Sequence, residues 1–271
     1  MDEKLLESIH NLQLEMLKNL HQRCNDEGIR YTLICGSLLG AVRHKGFIPW
    51  DDDIDIGLPR ADYEKLMESL KHKPLDNCLL QDYTTDPHYY QPFAKLIREN
   101  TVYIEGFSKN CKARNGVFID IFPLDRIKRP GQTSTKLLRS ILRIIMFAIW
   151  NKENCHMQRK GVKKLANFTA AVISVLPKSF LVWLQRKLVV REHKDWDYVG
   201  SLFSSHYETD RLYFKISDFD QRIELPFGDI MAWAPRNWDE NLSRLYKNYM
   251  QFPPENKRNS GHDLWKLELN I

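Results

Sequence analysis

The segment Gly46–Arg60, GFIPWDDDIDIGLPR, constrains this chain more than any other. It sets Asp51, Asp52, Asp53 and Asp55 beside an apolar run, in a protein of formal net charge +5. From Asp53 on, acids and apolar residues alternate with the two-residue period of a strand. Asp51, Asp53 and Asp55 then share one face, and Ile54, Ile56 and Leu58 share the other, which can pack as core. Asp52 falls on the Ile54 face. Neighbouring carboxylates repel unless a cation lies between them. A hard divalent ion, Mg2+ or Mn2+, is held this way, through one or two carboxylates and the phosphates of a substrate. A calcium-loop frame fails, because its sixth position is Ile56 rather than Gly and its twelfth is Asp62 rather than Glu.

A second stretch, GVFIDIFPLD (Gly116–Asp125), reads as a strand ended by Pro123. Asp120 stands between Phe118 and Phe122, opposite the face of Val117, Ile119 and Ile121. A lone carboxylate in such a strand is costly unless paired or metal-bound. Asp120 is therefore a candidate third ligand, or the base for an attacking hydroxyl. Ile29–Cys35 reads as a buried strand that runs into Gly36-Ser37. Gly36 lets the backbone approach a phosphate, and Ser37 and the amides opening the next helix can donate to its oxygens. Arg43, His44 and Lys45 are candidate phosphate contacts, as are Lys95 and Arg98 on the strand Pro92–Arg98. Trp50, Tyr89, Tyr90 and Phe93 are candidate faces for a quaternary ammonium.

Around these, residues 3–27 read as an amphipathic helix, 38–46 as a short helix closed by Gly46, and 60–71 as a helix. Pro92–Arg98 and Thr101–Phe107 read as a hairpin turning at Glu99-Asn100. Residues 133–194 read as helical and basic. Strands are expected near Tyr213–Ile216 and Arg222–Leu225, a helix at Trp238–Met250, and a loop from Gln251 to Asp263.

A strand ending in Gly-Ser, a helix, an Asp-x-Asp strand and a later lone Asp together resemble the nucleotidyltransferase (polymerase-β-like) superfamily. More narrowly, GSLLGAVRHKGFIPWDDDIDIGLPRADYEKL (Gly36–Leu66) resembles the signature of the LicD family of phosphocholine transferases, which fukutin-type ribitol-phosphate transferases share. FAKLIRENT, GVFIDIFPLD and RNWDENLSRLYKNYMQFPP are similar as well. The chain departs from the pattern at Leu225–Asp229 and at Lys247-Asn248, where members often carry an acidic-glycine pair and Gly-Asp. The resemblance implies an α/β (α+β) fold, a mixed sheet flanked by helices. Its catalytic core would be 1–128, with a basic helical insertion at 129–196. Residues 197–271 would complete the core and the acceptor site.

The resemblance also implies an activity: transfer of phosphocholine from CDP-choline to a sugar hydroxyl of a cell-surface polysaccharide precursor, a teichoic acid or lipooligosaccharide. Asp53 and Asp55 would hold Mg2+ or Mn2+ against the diphosphate, and Asp120 would complete the site or take the proton. The alternatives are a CDP-ribitol or CDP-glycerol transferase, and a nucleotidyltransferase that moves NMP from an NTP.

Several other chemistries are disfavoured. The five cysteines are scattered without CxxC pairs, as in a reduced cytoplasmic protein. The nine histidines form no HExxH or HxH array for zinc, and Ser37 lacks a GxSxG frame. The N-terminal stretch has neither the apolar core nor the cleavage site of a signal peptide, so a cytoplasmic location is expected. Leu137–Trp150 carries Arg139 and Arg143, and Leu165–Leu184 is broken by Pro177-Lys178, so neither spans a membrane. With Lys160, Lys163, Lys164, Arg186 and Lys187 alongside, these stretches suit contact with the inner face of an anionic membrane and a lipid-linked acceptor. Dispersed basic residues without interleaved aromatics argue against nucleic acid.

Overall fold

The computed structural model describes residues 2–155, 163–190, 195–203, 210–260 and 262–270. Lys160 lies outside them, and so do the side chains of Lys163 and Lys164. The chain opens with α1 (Glu3–Asp26), β1 (Thr32–Leu33), α2 (Cys35–His44), β2 (Asp55–Pro59) and α3 (Arg60–His72). There follow β3 (Cys78–Gln81), β4 (Ala94–Arg98), β5 (Thr101–Glu105) and β6 (Phe118–Ile127). Three helices come next, α4 (Thr133–Lys152), α5 (Lys163–Ile173) and α6 (Lys178–Val189). The chain ends with β7 (Tyr198–Gly200), β8 (Tyr213–Lys215), α7 (Ser217–Asp220), β9 (Ile223–Phe227), β10 (Ile230–Ala234), α8 (Trp238–Tyr246) and β11 (Leu264–Leu269).

Among the described residues the central sheet runs β1-β2-β6-β4-β3, with β7 on the far part of β6 and β8 on β7. Only β2 and β6 pair in parallel within it. A mixed α/β architecture was expected, and this is one. The alternation in β2 and β6 also works as read: Ile54, Ile56, Leu58, Ile119 and Ile121 are fully buried. They pack with Met16, Leu17 and Leu20 from one side of α1, whose three-to-four spacing makes a helix face. A separate apolar cluster joins α4 and α6 to the loop before β4 through Tyr90, Ile149, Trp150 and Leu181.

Four local expectations are corrected. Pro92–Arg98 and Thr101–Phe107 form no hairpin. β4 is already paired on both edges, by β3 and β6, so β5 turns away at Asn100 (φ 60°) and pairs with β11. β6 does not stop at Pro123. Its β4 partner ends opposite Ile121 and its β7 partner starts opposite Asp125, so that edge asks no hydrogen bond of the proline nitrogen. The strand before Gly36-Ser37 shrinks to two residues, because Cys35 (φ 49°) turns the chain straight into α2. That helix ends at His44 with Lys45 in the left-handed conformation (φ 58°), one residue before Gly46. The described residues from Gln251 to Asp263 are loop, as expected, apart from a single 3-10 turn at Glu255–Lys257, and β11 follows them.

Candidate functional site

Strand β2 begins only at Asp55. Of the three preceding aspartates, Asp51 and Asp52 are held through their carbonyls by side chains of α1. His10 Nε2 donates to the Asp51 carbonyl at 2.7 Å, and Gln13 Nε2 donates to the carbonyls of Asp52 (2.8 Å) and Phe118 (3.0 Å). Ladder hydrogen bonds resume where the Asp120 amide meets the Ile54 carbonyl at 2.9 Å. Asp55 stands in register with Asp120 on β6, and Asp120 with Lys95 on β4. Three adjacent strands thus present carboxylate, carboxylate and ammonium in one row. Lys95 Nζ lies 2.9 Å from Asp120 Oδ1 and 3.1 Å from the centre of the Phe118 ring. The ion pair is off the line of a hydrogen bond, and Asp120 Oδ1 is buried with no donor aligned to it.

Burial dominates the electrostatics. It raises the carboxyl pKa of Asp53 to about 6, with His262 opposing and Asp120 adding to the rise. Burial, then the charges of Asp53 and Asp120, hold Asp55 well above the ordinary carboxylate range. Burial and Asp53 do the same to Asp51, and burial raises Asp120 despite Lys95. Such a set resists full ionisation unless a cation offsets it. Asp51, Asp52 and Asp53 each bring one oxygen within 4.8 Å of the others.

Asp52 has a different task. It is fully buried, and its oxygens accept from Tyr103 Oη and His262 Nδ1, each at 2.6 Å. Burial works against this carboxylate, yet the bonds to His262 and Tyr103 carry its pKa below the usual value. Burial likewise opposes charge on His262, but the Asp52 bond and the charges of Asp53, Asp52 and Glu105 raise its pKa to about 10. His262 Nε2 is 3.7 Å from Asp53 and 3.9 Å from Glu105. The β5–β11 pairing delivers it, and the Gly106 amide donates to the Asp263 carbonyl at 2.6 Å beside it. Gly106 has no room for a Cβ, which would lie 2.5 Å from Asp263 Oδ2.

The other expected residues disperse. Ser37 Oγ accepts from the Asp55 amide at 2.7 Å, which ties the α2 N-terminus to the acidic strand. A Cβ on Gly36 would meet Asp51 Oδ2 at 2.7 Å, so this glycine makes room for a carboxylate of the chain itself. Arg43 donates to the Tyr249 carbonyl at 2.9 Å and covers Phe252. His44 and Trp50 pack around the same Phe252, with Arg258 above Trp50. The Lys45 carbonyl accepts from the Gly228 amide. Arg98 points to the face of β4 opposite Lys95 and pairs with Glu15 at 2.9 Å. Arg98 is therefore no part of the Lys95 row. The four aromatics do not form one box. Trp50 joins the Phe252 group, Tyr89 is 1% exposed between Tyr83 and Tyr90, and Phe93 packs on Phe122. Tyr90 alone of the four lines a small cleft of about 40 Å³, shared with Lys95, Tyr103, Glu105, Arg114 and Phe118.

His262, Tyr103, Glu105 and Gln13 escaped the sequence reading. Each is a single polar or aromatic residue far along the chain from the acidic segment, without spacing that marks it. The Gly-His-Asp run at 261–263 was the one available signal, since it interrupts the loop-like tail just before apolar alternation resumes.

Comparison with known proteins agrees with the geometry. The family described as "LicD/FKTN/FKRP, nucleotidyltransferase domain" matches residues 28–188. The chain is 28% identical over 263 residues to the lipopolysaccharide cholinephosphotransferase LicD of Haemophilus influenzae, covering 92% of each. It is 61% identical over 31 residues to the ribitol 5-phosphate transferase FKRP of Homo sapiens, a match of 11% of this chain and 6% of that protein. An uncharacterised Rickettsia prowazekii protein is 43% identical over 56 residues, 21% of each.

Proposed function

The chain belongs to the LicD/FKTN/FKRP nucleotidyltransferase-domain family, and on that premise we propose that it is a phosphotransferase moving phosphocholine from CDP-choline to a sugar hydroxyl. The acceptor is a cell-surface polysaccharide precursor. The observation that carries this reading is the row Asp55–Asp120–Lys95 with Asp53 beside it. Phosphoryl transfer needs positioning and positive charge around a phosphate, and little covalent help from the protein.

The carboxylates fit a divalent ion. Their burial disfavours the ionised form, their oxygens are hard, and Asp120 Oδ1 has no aligned donor. Asp53 and Asp55, with Asp120 as third donor, would hold Mg2+ or Mn2+, which supplies Lewis-acid neutralisation of the diphosphate. Lys95 adds a fixed positive charge next to that set. His262 and Tyr103, through Asp52, hold the Asp51–Asp53 backbone in place. In the transfer the sugar oxygen bonds to the choline-bearing phosphorus and the bond from that phosphorus to CMP breaks. CMP leaves with the electron pair, and the hydroxyl proton passes to a carboxylate of the cluster.

The cleft supports choline as the transferred alcohol. Phosphocholine carries an anionic and a cationic end, and the cleft offers Lys95 to the first and Glu105, Tyr90 and Tyr103 to the second. This reading takes the sheet as a nucleotidyltransferase-like core and the segment after residue 197 as its completion. The FKRP match favours a second reading, in which the donor is CDP-ribitol.

The test measures CMP release with Mg2+, a glycan acceptor, and CDP-choline, CDP-ribitol or CDP-glycerol. CDP-choline is expected to react fastest, and Asp53→Asn is expected to slow release about a hundredfold or more. Glu105→Gln is expected to raise KM for CDP-choline about tenfold and leave CDP-ribitol unchanged. Preference for CDP-ribitol would move the reading to its alternative. Pyrophosphate release from an NTP, without CMP release from any CDP-alcohol, would refute both.

A further inference from the structure

No described helix is long and apolar enough to cross a membrane. The sequence of the middle segment is nonetheless unlike the rest. Residues 154–191 hold eight Lys or Arg and no Asp or Glu. Helices α5 and α6 pack against α4, burying Ala170 and Leu181. Their outer sides stay apolar and open. Phe168 is 68% exposed, Val172 53%, Val175 80% and Trp183 52%. Phe168 and Val172 are one turn apart on α5, and Phe180 stacks on Trp183 one turn away on α6, with ring centres 5.6 Å apart. Leu176 and Val175 join the two helices across the exposed link. Arg186 and Lys187 are exposed at the next turn of α6.

We propose that the α5–α6 hairpin docks the protein on an anionic lipid surface, with the ridge from Phe168 to Trp183 seated at the headgroup–acyl boundary. Aromatic rings with basic neighbours are suited to that boundary, where one end is apolar and the other wet. Anionic headgroups complement a stretch without acids. A second copy of the chain is disfavoured as the occupant, because a two-fold contact would set the exposed Lys187 and the basic stretch around it against their own copies. The proposal does not depend on the donor or the chemistry of the carboxylate site.

The experiment is co-sedimentation of the full chain with vesicles of equal parts phosphatidylglycerol and phosphatidylcholine at low salt, alongside pure phosphatidylcholine. Wild-type protein is expected to pellet with the anionic vesicles and less with the neutral ones. Phe180→Ser with Trp183→Ser is expected to cut the bound-to-free ratio about tenfold or more. Lys187→Glu is expected to weaken anionic binding selectively. Both variants change exposed side chains, and circular dichroism and CMP release onto a soluble acceptor should match wild type. Wild-type protein left in the supernatant with anionic vesicles would overturn the proposal, as would equal binding by the Phe180→Ser, Trp183→Ser variant. A dimer in sedimentation velocity that this variant dissociates would overturn it in favour of self-association.

Discussion

Replacing His262 by Ala removes a hydrogen bond to the fully buried Asp52 carboxylate. A hydrogen bond to a charged group contributes about 1.5–3 kcal/mol, and breaking a buried ion pair costs about 3–5 kcal/mol. The His262 side chain is 23% exposed, so water can enter the vacated space and relieve part of that cost. A loss of about 2–3 kcal/mol is expected. Tyr103→Phe keeps the ring against Phe118, removes only its own bond to Asp52, and is expected to cost about 1–2 kcal/mol. If His262 acts by offsetting the Asp52 charge, Asp52→Asn should make the His262 change cheaper. The cycle should return a coupling of about 1–2 kcal/mol. The measurement is urea unfolding followed by circular dichroism at neutral pH with a chelator, all variants sharing one slope. In CMP-release assays His262→Ala should lower kcat more than it raises KM, because it loosens the loop that carries Asp53. A stability loss within about 0.5 kcal/mol of zero, or strictly additive single changes, would refute the idea of a buried clamp.

Four other substitutions probe the same region. Asp55→Asn is expected to abolish CMP release while leaving the chelator-treated protein as stable as wild type or more so, since burial and Asp53 already disfavour its charge; a thermal melt checks this. Lys95→Met strips Asp120 of its counter-charge and is expected to cost about 2–3 kcal/mol in urea unfolding. Asp120→Asn in the same chain should restore much of that loss. Gly36→Ala lies in the first turn of α2, where alanine suits a helix, so stability should stay within about 1 kcal/mol. Its Cβ must displace the Asp51 carboxylate, so CMP release should fall; unchanged release would remove Asp51 from the site.

The sequence was most legible where periodicity and burial coincide. Ile54, Ile56 and Leu58 alternate with acids, and so do Ile119 and Ile121 around Asp120, because a strand with one buried face leaves no other pattern. The long amphipathic α1 was legible for the same reason. Partner choice was not. Nothing local says that β4 fills both its edges, that β5 must find β11, or that Pro123 falls where one edge of β6 changes partner. The aromatics suggested a box, and the fold distributed them among three places, since an aromatic residue reads the same in a core and on a cleft wall.

By itself the sequence determined that Asp55 and Asp120 would sit on strands anchored in the core, because hydrophobic alternation is a property of consecutive residues. It also determined the resemblance that led to the family, because that signature is a contiguous run. Only the tertiary structure decided that Asp55, Asp120 and Lys95 form a row, since register between strands is set by packing across the sheet. Alternation already set Asp52 on the other face from its three acidic neighbours, and the tertiary structure decided its partners. Tyr103 and His262 come from β5 and from beside the last strand, and only chain folding brings them to a carboxylate so far away in sequence.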